Sequence, residues 1–278
     1  MYEKTVVGWD GSAPADAALD WAVERASGRS NSVRIVRSID DAELYSDELD
    51  ARWAVAVATF ALAERAAKLR ASRPELEVNT AVTRGEAGEI LGALAGENTL
   101  VVVGSQGGYT GEYWYTARLG ARLAALARGA VAVIPVRDSR ERSGVLVGVD
   151  ESDGAVAACL FAAELACLRG ESLHLVHACT DHPPNSDGQP GAAHEAVFDR
   201  VLAPVVRAFP TLTVHRHVEH TAPAAALILY ALDASLAVVG TRRPGAVRRL
   251  FLGSVSHTLV NNARSPTIVV APRVGEPA

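Results

Sequence analysis

The chain repeats itself, and this duplication constrains its architecture more than any single motif does. "TVVGWDGSAPADAALDWAVERA" at Thr5–Ala26 aligns without gaps on "VLVGVDESDGAVAACLFAAELA" at Val145–Ala166, an offset of 140 positions. "VTRGEAGEILGALAGENTLVVVG" (Val82–Gly104) aligns on "VEHTAPAAALILYALDASLAVVG" (Val218–Gly240) with an offset of 136, which persists to "ARGAVAVIPVR" against "ARSPTIVVAPR". Two stretches in register over so many positions mark a duplicated domain. The charged, serine-bearing run "RDSRERSG" (Arg137–Gly144) reads as an exposed connection, so the domains are placed at 1–140 and 141–278. At 278 residues, each half is long enough to bury a core of its own.

Within each half the hydrophobic period switches back and forth. In the first, "KTVVGWD", "SVRIVRS", "LEVNTAV", "TLVVVG" and "AVAVIPV" read as strands. Helical spacing occupies Pro14–Ser27, Ala51–Ala71, Ala87–Ala95 and Arg118–Ala127 between them. Strands alternating with helices, several of them apolar throughout, predict a parallel sheet covered on both faces. The expected fold class is α/β: two tandem doubly wound, Rossmann-like, five-stranded sheets forming an internal pseudo-dimer. Ligands of such sheets bind outside the strands' carboxyl ends, where the strand order reverses. The residues to inspect are therefore Asp10, Gly104 and Gly107 in one half, and Asp150 and Gly240 onward in the other.

Bulk properties narrow the function classes. A net charge of −5 argues against nucleic acid as a partner, because phosphate backbones need a basic footprint. No apolar run approaches the roughly 18–20 residues of a membrane span. The start "MYEKTVVGWDGS" has no charged-then-apolar signal region, so a cytoplasmic location is expected. Cys159, Cys167 and Cys179 show no C-x-x-C spacing and read as reduced, buried thiols, with a metal or catalytic role the lesser alternative.

After the fourth strand of the second half comes "TRRPGAVRRLFLGSVSHTLVNNA". A final helix starting at Gly253-Ser254, with Ser254 as N-cap, would present bare amides and a positive dipole end to an anion. Gly253 permits close backbone approach, and the hydroxyls of Ser254 and Ser256 are candidate phosphate donors. Asp150, at the end of the first strand, is suited to accept from ribose hydroxyls. The bland alternative stays open, since Gly-Ser before a helix is also an ordinary cap.

The duplicated halves, the "VGWDGS" and "VGVDES" strand ends, and a late G-x-x-G-x9-G-[ST] pattern together resemble the universal stress protein family, in its tandem bacterial form. That resemblance implies a pattern wrapped around the ribose and phosphates of ATP, with Mg2+ as a possible companion, and an aspartate holding the adenosine. Carried over, it selects Asp150, Ala178, Gly240, Thr241, Arg242, Arg243, Gly253, Ser254, Val255 and Ser256. In the first half it selects Asp10, Ser38, Gly104, Ser105, Gly107 and Arg118. It also implies that Val131–Val136 and Thr267–Ala271 meet at the interface between halves; a further homodimer is compatible with this.

Both halves depart from the pattern. In the second, Arg243 stands where the family has its second glycine, and it either blocks the phosphate or clamps it. The first keeps Gly104-Ser105-Gln106-Gly107 but carries Ala117-Arg118 in place of Gly-Ser, a cation opposing the helix dipole. Its loop "YTGEYWY" holds four aromatics, read as packing against the other half. The second half is therefore the expected site and the first a degenerate one.

Other chemistry is weaker. All eight histidines lie in the second half; "TVHRHVEH" puts His215 and His217 on one strand face, with no third ligand spaced to complete a metal site. His177 reads as packing. Walker, H-E-x-x-H and G-x-S-x-G motifs are missing, and neither Lys4 nor Lys68 adjoins a phosphate loop. With no visible general base or metal cage for hydrolysis, the expected function is non-catalytic ATP binding in a stress response. The rival reading is an interaction scaffold that has lost its nucleotide.

Overall fold

A computed structural model describes residues 4–26, 32–40, 48–105, 114–136, 140–180, 192–241 and 253–272. The chain divides into two compact units, Met1–Arg137 and Asp138–Ala278, within three residues of the boundary expected from the repeat.

Unit one runs β1 (Lys4–Gly8), α1 (Ala13–Ala26), β2 (Ser32–Ile39), α2 (Glu48–Ser72), β3 (Glu77–Arg84), α3 (Ala87–Leu94), β4 (Thr99–Ser105), α4 (Trp114–Leu126) and β5 (Ala130–Pro135). Unit two repeats the order: β6 (Val145–Gly148), α5 (Asp153–Arg169), β7 (Leu173–Ala178), α6 (Ala192–Ala208), β8 (Val214–Glu219), α7 (Pro223–Ala231), β9 (Leu236–Gly240), α8 (Ser254–Asn261) and β10 (Thr267–Val270). Within unit one the strands lie in the order β3-β2-β1-β4-β5, and within unit two β8-β7-β6-β9-β10. Every pairing inside each unit is parallel. The order reverses between β1 and β4 and between β6 and β9. At those gaps the chain, having built outward on one side, returns to build on the other.

The central strands are apolar throughout because both of their faces are covered. Leu100, Val101 and Val102 of β4 and Ala237 and Val238 of β9 are at most 1% exposed. Each fully buried Val or Leu contributes about 1.5–3 kcal/mol. Helices cover the sheets in pairs, α3 beside α4 in one unit, and α5 beside α6 and α7 beside α8 in the other. In unit one, α2 is tied to α1 by Arg65, whose Nε and Nη2 reach Asp16 and Asp20 at 3.1 and 2.8 Å.

Local chemistry sets the helix ends. Ser152 caps α5 by accepting from the Ala155 amide, and Gly170, at φ 64°, closes it by donating to Ala166 and Cys167 carbonyls. One boundary differs from the sequence expectation. α4 begins at Trp114, so Ala117 and Arg118 lie inside its first turns rather than at its start. The amphipathic signal that locates a helix fades in the aromatic-rich stretch before Arg118, which hid the earlier start.

Two glycines matter through contact rather than conformation. A Cβ on Gly104 would stand 2.1 Å from the Pro14 carbonyl oxygen, and one on Gly240 would stand 2.1 Å from that of Gly154. The last residues of β4 and β9 thus lie directly against the first turns of α1 and α5. At Gly253 the same substitution meets nothing within 4 Å among the described residues. We expect Gly104→Ala to destabilise by about 2–3 kcal/mol and Gly253→Ala by less than about 1 kcal/mol, read from urea unfolding midpoints.

Candidate functional site

The strand-order reversal opens a pocket in each unit. In unit two a cavity of about 210 Å³ is bounded by Asp150 after β6, Ala178 at the end of β7, Gly240 at the end of β9, and Gly253–Ser256 at the start of α8. Seven of the ten residues selected in this half are thus brought together: Asp150, Ala178, Gly240, Gly253, Ser254, Val255 and Ser256. Thr241 continues the pairing beyond β9, donating its amide to Val270 at 2.9 Å. Arg242 and Arg243 lie outside the described residues.

The first turn of α8 differs in detail from expectation. Gly253, not Ser254, is the N-cap, with φ −55° and ψ 147°. Among the described residues no side chain caps the helix, whose first intrahelical bond runs from the His257 amide to the Gly253 carbonyl at 2.9 Å. The amides of Ser254, Val255 and Ser256 therefore precede that ladder, as an anion site requires. Ser254 is exposed. Ser256 is buried, and its hydroxyl donates to the Gly240 carbonyl at 3.2 Å, joining α8 to β9. Sequence alone could not separate these two serines, because the choice depends on which one turns toward the sheet.

Asp150 also has a local duty. Its Oδ1 accepts from the Ser152 amide at 2.9 Å and from the Ser152 hydroxyl, turning the chain from β6 into α5. The half-buried carboxylate is held at the cavity edge by that turn.

The unit-one pocket has the same origin and different walls. It measures about 120 Å³, and Trp9, Arg37 and Leu119 help to line it. Trp9 is 9% exposed, and its indole Nε1 donates to Asp16 at 2.9 Å, so a large fixed ring stands where unit two has Val149. Asp10 makes the same turn, accepting from the Ser12 amide at 2.9 Å, but is exposed. The Ser38 hydroxyl donates to the Gly85 carbonyl. Gly104 lines the pocket, and Ser105 is buried at the end of β4. Gly107 and the loop 106–113 lie outside the described residues, as do the side chains up to Arg118.

Pairing of β7 with β8 sets His174 opposite His215, an alignment that sequence spacing did not reveal. His174 stacks on His215 and His217 with ring centroids 4.7 and 5.5 Å apart. Its Nε2 lies 2.9 Å from the Ser172 hydroxyl and its Nδ1 3.2 Å from His217 Nε2, so both ring nitrogens are engaged. Burial first, then the charges of His215 and His217, lower the pKa of His174; burial and His215 lower that of His217 against the pull of Glu219. Tyr230 packs on His217 and donates to Glu219 at 2.7 Å. Burial and that bond push its hydroxyl up to about 12.

The cysteines correct one expectation. All three are free, but only Cys159 is buried; Cys167 is exposed and Cys179 half-buried. Burial pushes the Cys159 thiol up to about 12. α5 and β7 place the three in different environments that composition cannot distinguish.

Two tandem doubly wound α/β units, each with a pocket where its strand order reverses, define the class by fold. The profile of the universal stress protein family matches residues 1–135 and again 142–271, and the chain belongs to that family. A universal stress protein of Mycolicibacterium smegmatis is 29% identical over 293 aligned positions, covering 96% of this chain and 97% of its own. Another, from Mycobacterium tuberculosis, is 28% identical over 301, covering 95% and 93%. The crystal structure of a universal stress protein from Archaeoglobus fulgidus superposes with a TM-score of 0.74 at 19% identity, covering 98% of this chain and 99% of that one. Among the described residues, no helix is long and apolar enough to cross a membrane.

The histidine stack generates a pH dependence. Unfolded, these imidazoles take up protons near their ordinary value of 6.5; folded, they resist protonation to lower pH. The unfolded chain therefore binds more protons in that window, and stability present above 6.5 is lost as pH falls toward the lowered values. The urea midpoint should drop between about pH 7.5 and about pH 5.5, and a His174→Gln/His217→Gln double variant should flatten that drop.

Proposed function

We propose that this protein binds adenine nucleotide, ATP in particular, in its second half and acts without catalysis in a stress response. The observation that carries this reading is the convergence, on one cavity of about 210 Å³, of a strand-end carboxylate and a helix start without a side-chain cap. The residues fit the ligand. Adenine would lie against Ala178 and the apolar wall of Val176 and Leu227, ribose hydroxyls would donate to Asp150, and phosphates would meet the amides of Ser254, Val255 and Ser256. Open space beside Gly253 leaves room for the phosphate oxygens. Unit one offers the smaller cavity and the Trp9 wall, which favours unit two.

Solved family members are described in complex with cAMP, with dAMP and with AMP, and these define the comparison ligands. Protein purified without added nucleotide should release adenine nucleotide when denatured. Calorimetric titration with ATP should give micromolar-range affinity, near −8 kcal/mol, at about one site per chain. AMP, dAMP and cAMP, titrated in parallel, report how much the β- and γ-phosphates add. Gly253→Val should weaken ATP about tenfold, because a branched side chain at the cavity edge would intrude on the phosphates. Asp150→Asn keeps an acceptor for the Ser152 turn, and should weaken nucleosides and nucleotides alike. Neither released nucleotide nor heat of titration would leave the scaffold reading in its place.

A further inference from the structure

Beside the nucleotide pocket, and independent of it, a second cluster joins β7 to α6. Ala178 lines the cavity, and strand alternation directs its neighbours His177 and Cys179 together to the other side. α6 packs against β7 there and brings in His194 from its first turn. One ligand atom from each of His177, Cys179 and His194 lies within 4.8 Å of the other two. Tetrahedral zinc, with bonds of about 2.0 Å to nitrogen and about 2.3 Å to sulfur, places ligand atoms about 3.3–3.6 Å apart. Small side-chain rotations span the difference.

Three further features suit a cation. His177 Nδ1 lies 3.0 Å from the Val149 carbonyl, which can only accept, so the ring carries its proton on Nδ1 and keeps a lone pair on Nε2. His194 is buried at 3% exposure, whereas His177 and Cys179 are half-buried. The His220 ring packs edge-on against His194, with centroids 5.8 Å apart, and closes the flank.

We propose that His177, Cys179 and His194 form a binding site for a zinc-class divalent cation, with solvent in the fourth position. Two imidazoles and a thiolate are a borderline-soft donor set, which selects Zn2+ or Co2+ over Mg2+ or Ca2+. The thiol proton is released to solvent on binding. In unit one, Arg37 and Ile39 occupy the positions of His177 and Cys179, so the site belongs to the second half alone.

The test uses the full chain, stripped with chelator, kept reduced with a phosphine and titrated with Co2+. One equivalent should produce the thiolate-to-cobalt charge-transfer band and the visible bands of tetrahedral cobalt, both abolished by stoichiometric Zn2+ and unaffected by excess Mg2+. Cys179→Ser should remove the charge-transfer band and weaken Zn2+ by about tenfold or more. Cys159→Ser, Cys167→Ser and a His215→Ala/His217→Ala double variant should leave both intact. In the unmutated chain, Zn2+ should protect Cys179 from alkylation while exposed Cys167 still reacts, a readout that does not depend on any variant folding. A cobalt spectrum without a thiolate band, a band that survives Cys179→Ser, or equal alkylation of Cys179 with and without Zn2+ would overturn the proposal. ATP titration of the stripped protein separates this outcome from failure of the nucleotide reading.

Discussion

The arrangement depends on a contact with no side chain in it. At the end of β9 the backbone of Gly240 lies against the carbonyl of Gly154, and at the end of β4 Gly104 lies against that of Pro14. Any Cβ at Gly104 or Gly240 would occupy the space of a carbonyl group, and backbone cannot rotate away as a side chain can. The contact draws the first turn of α5 or α1 onto the strand that borders the order reversal. The pocket floor is therefore made of main chain, and the turn that starts the helix carries Asp150 or Asp10 to the rim. The first glycine of the pattern, Gly104 or Gly240, is required by helix-to-strand packing.

On that shared frame the two halves have diverged through side chains one layer out. Val149, Ala178, His177 and Cys179 in unit two correspond to Trp9, Ser38, Arg37 and Ile39 in unit one. The indole fills space and is held by Asp16, and the Ser38 hydroxyl is directed at a carbonyl. Unit two keeps small residues at the cavity and places imidazole and thiol on the far side of the same strand. Duplication allowed this, because the frame is set by backbone contacts and apolar strands that these replacements leave alone.

How far the site could be read from the chain depended on the range of each interaction. Asp150 and Gly253 could be placed because each follows or begins an element whose period is local, whereas Ala178 came from the family resemblance; all three line the unit-two cavity. The Ser256 hydroxyl donates to a carbonyl sixteen positions earlier, at Gly240, a bond that no local pattern signals. Arg118 was placed at a helix start that lies four residues upstream at Trp114, the intervening aromatics having masked the helical period. His174 and His194 were missed. Neither has a neighbour in sequence that signals its role, and the partners of each are supplied by another strand or helix.

By itself the sequence determined the doubling, the alternation of strands and helices, the apolar central strands and the places where chains of this kind open a pocket. All of these follow from short-range periodicity and from the match of one half to the other. Tertiary structure alone decided which glycine meets backbone, which serine faces the sheet, how β7 and β8 set three imidazoles in a stack, and how α6 brings His194 to His177 and Cys179. Those outcomes depend on strand register and helix docking, which are set by the packing of the whole core, and no local pattern encodes a distance between elements.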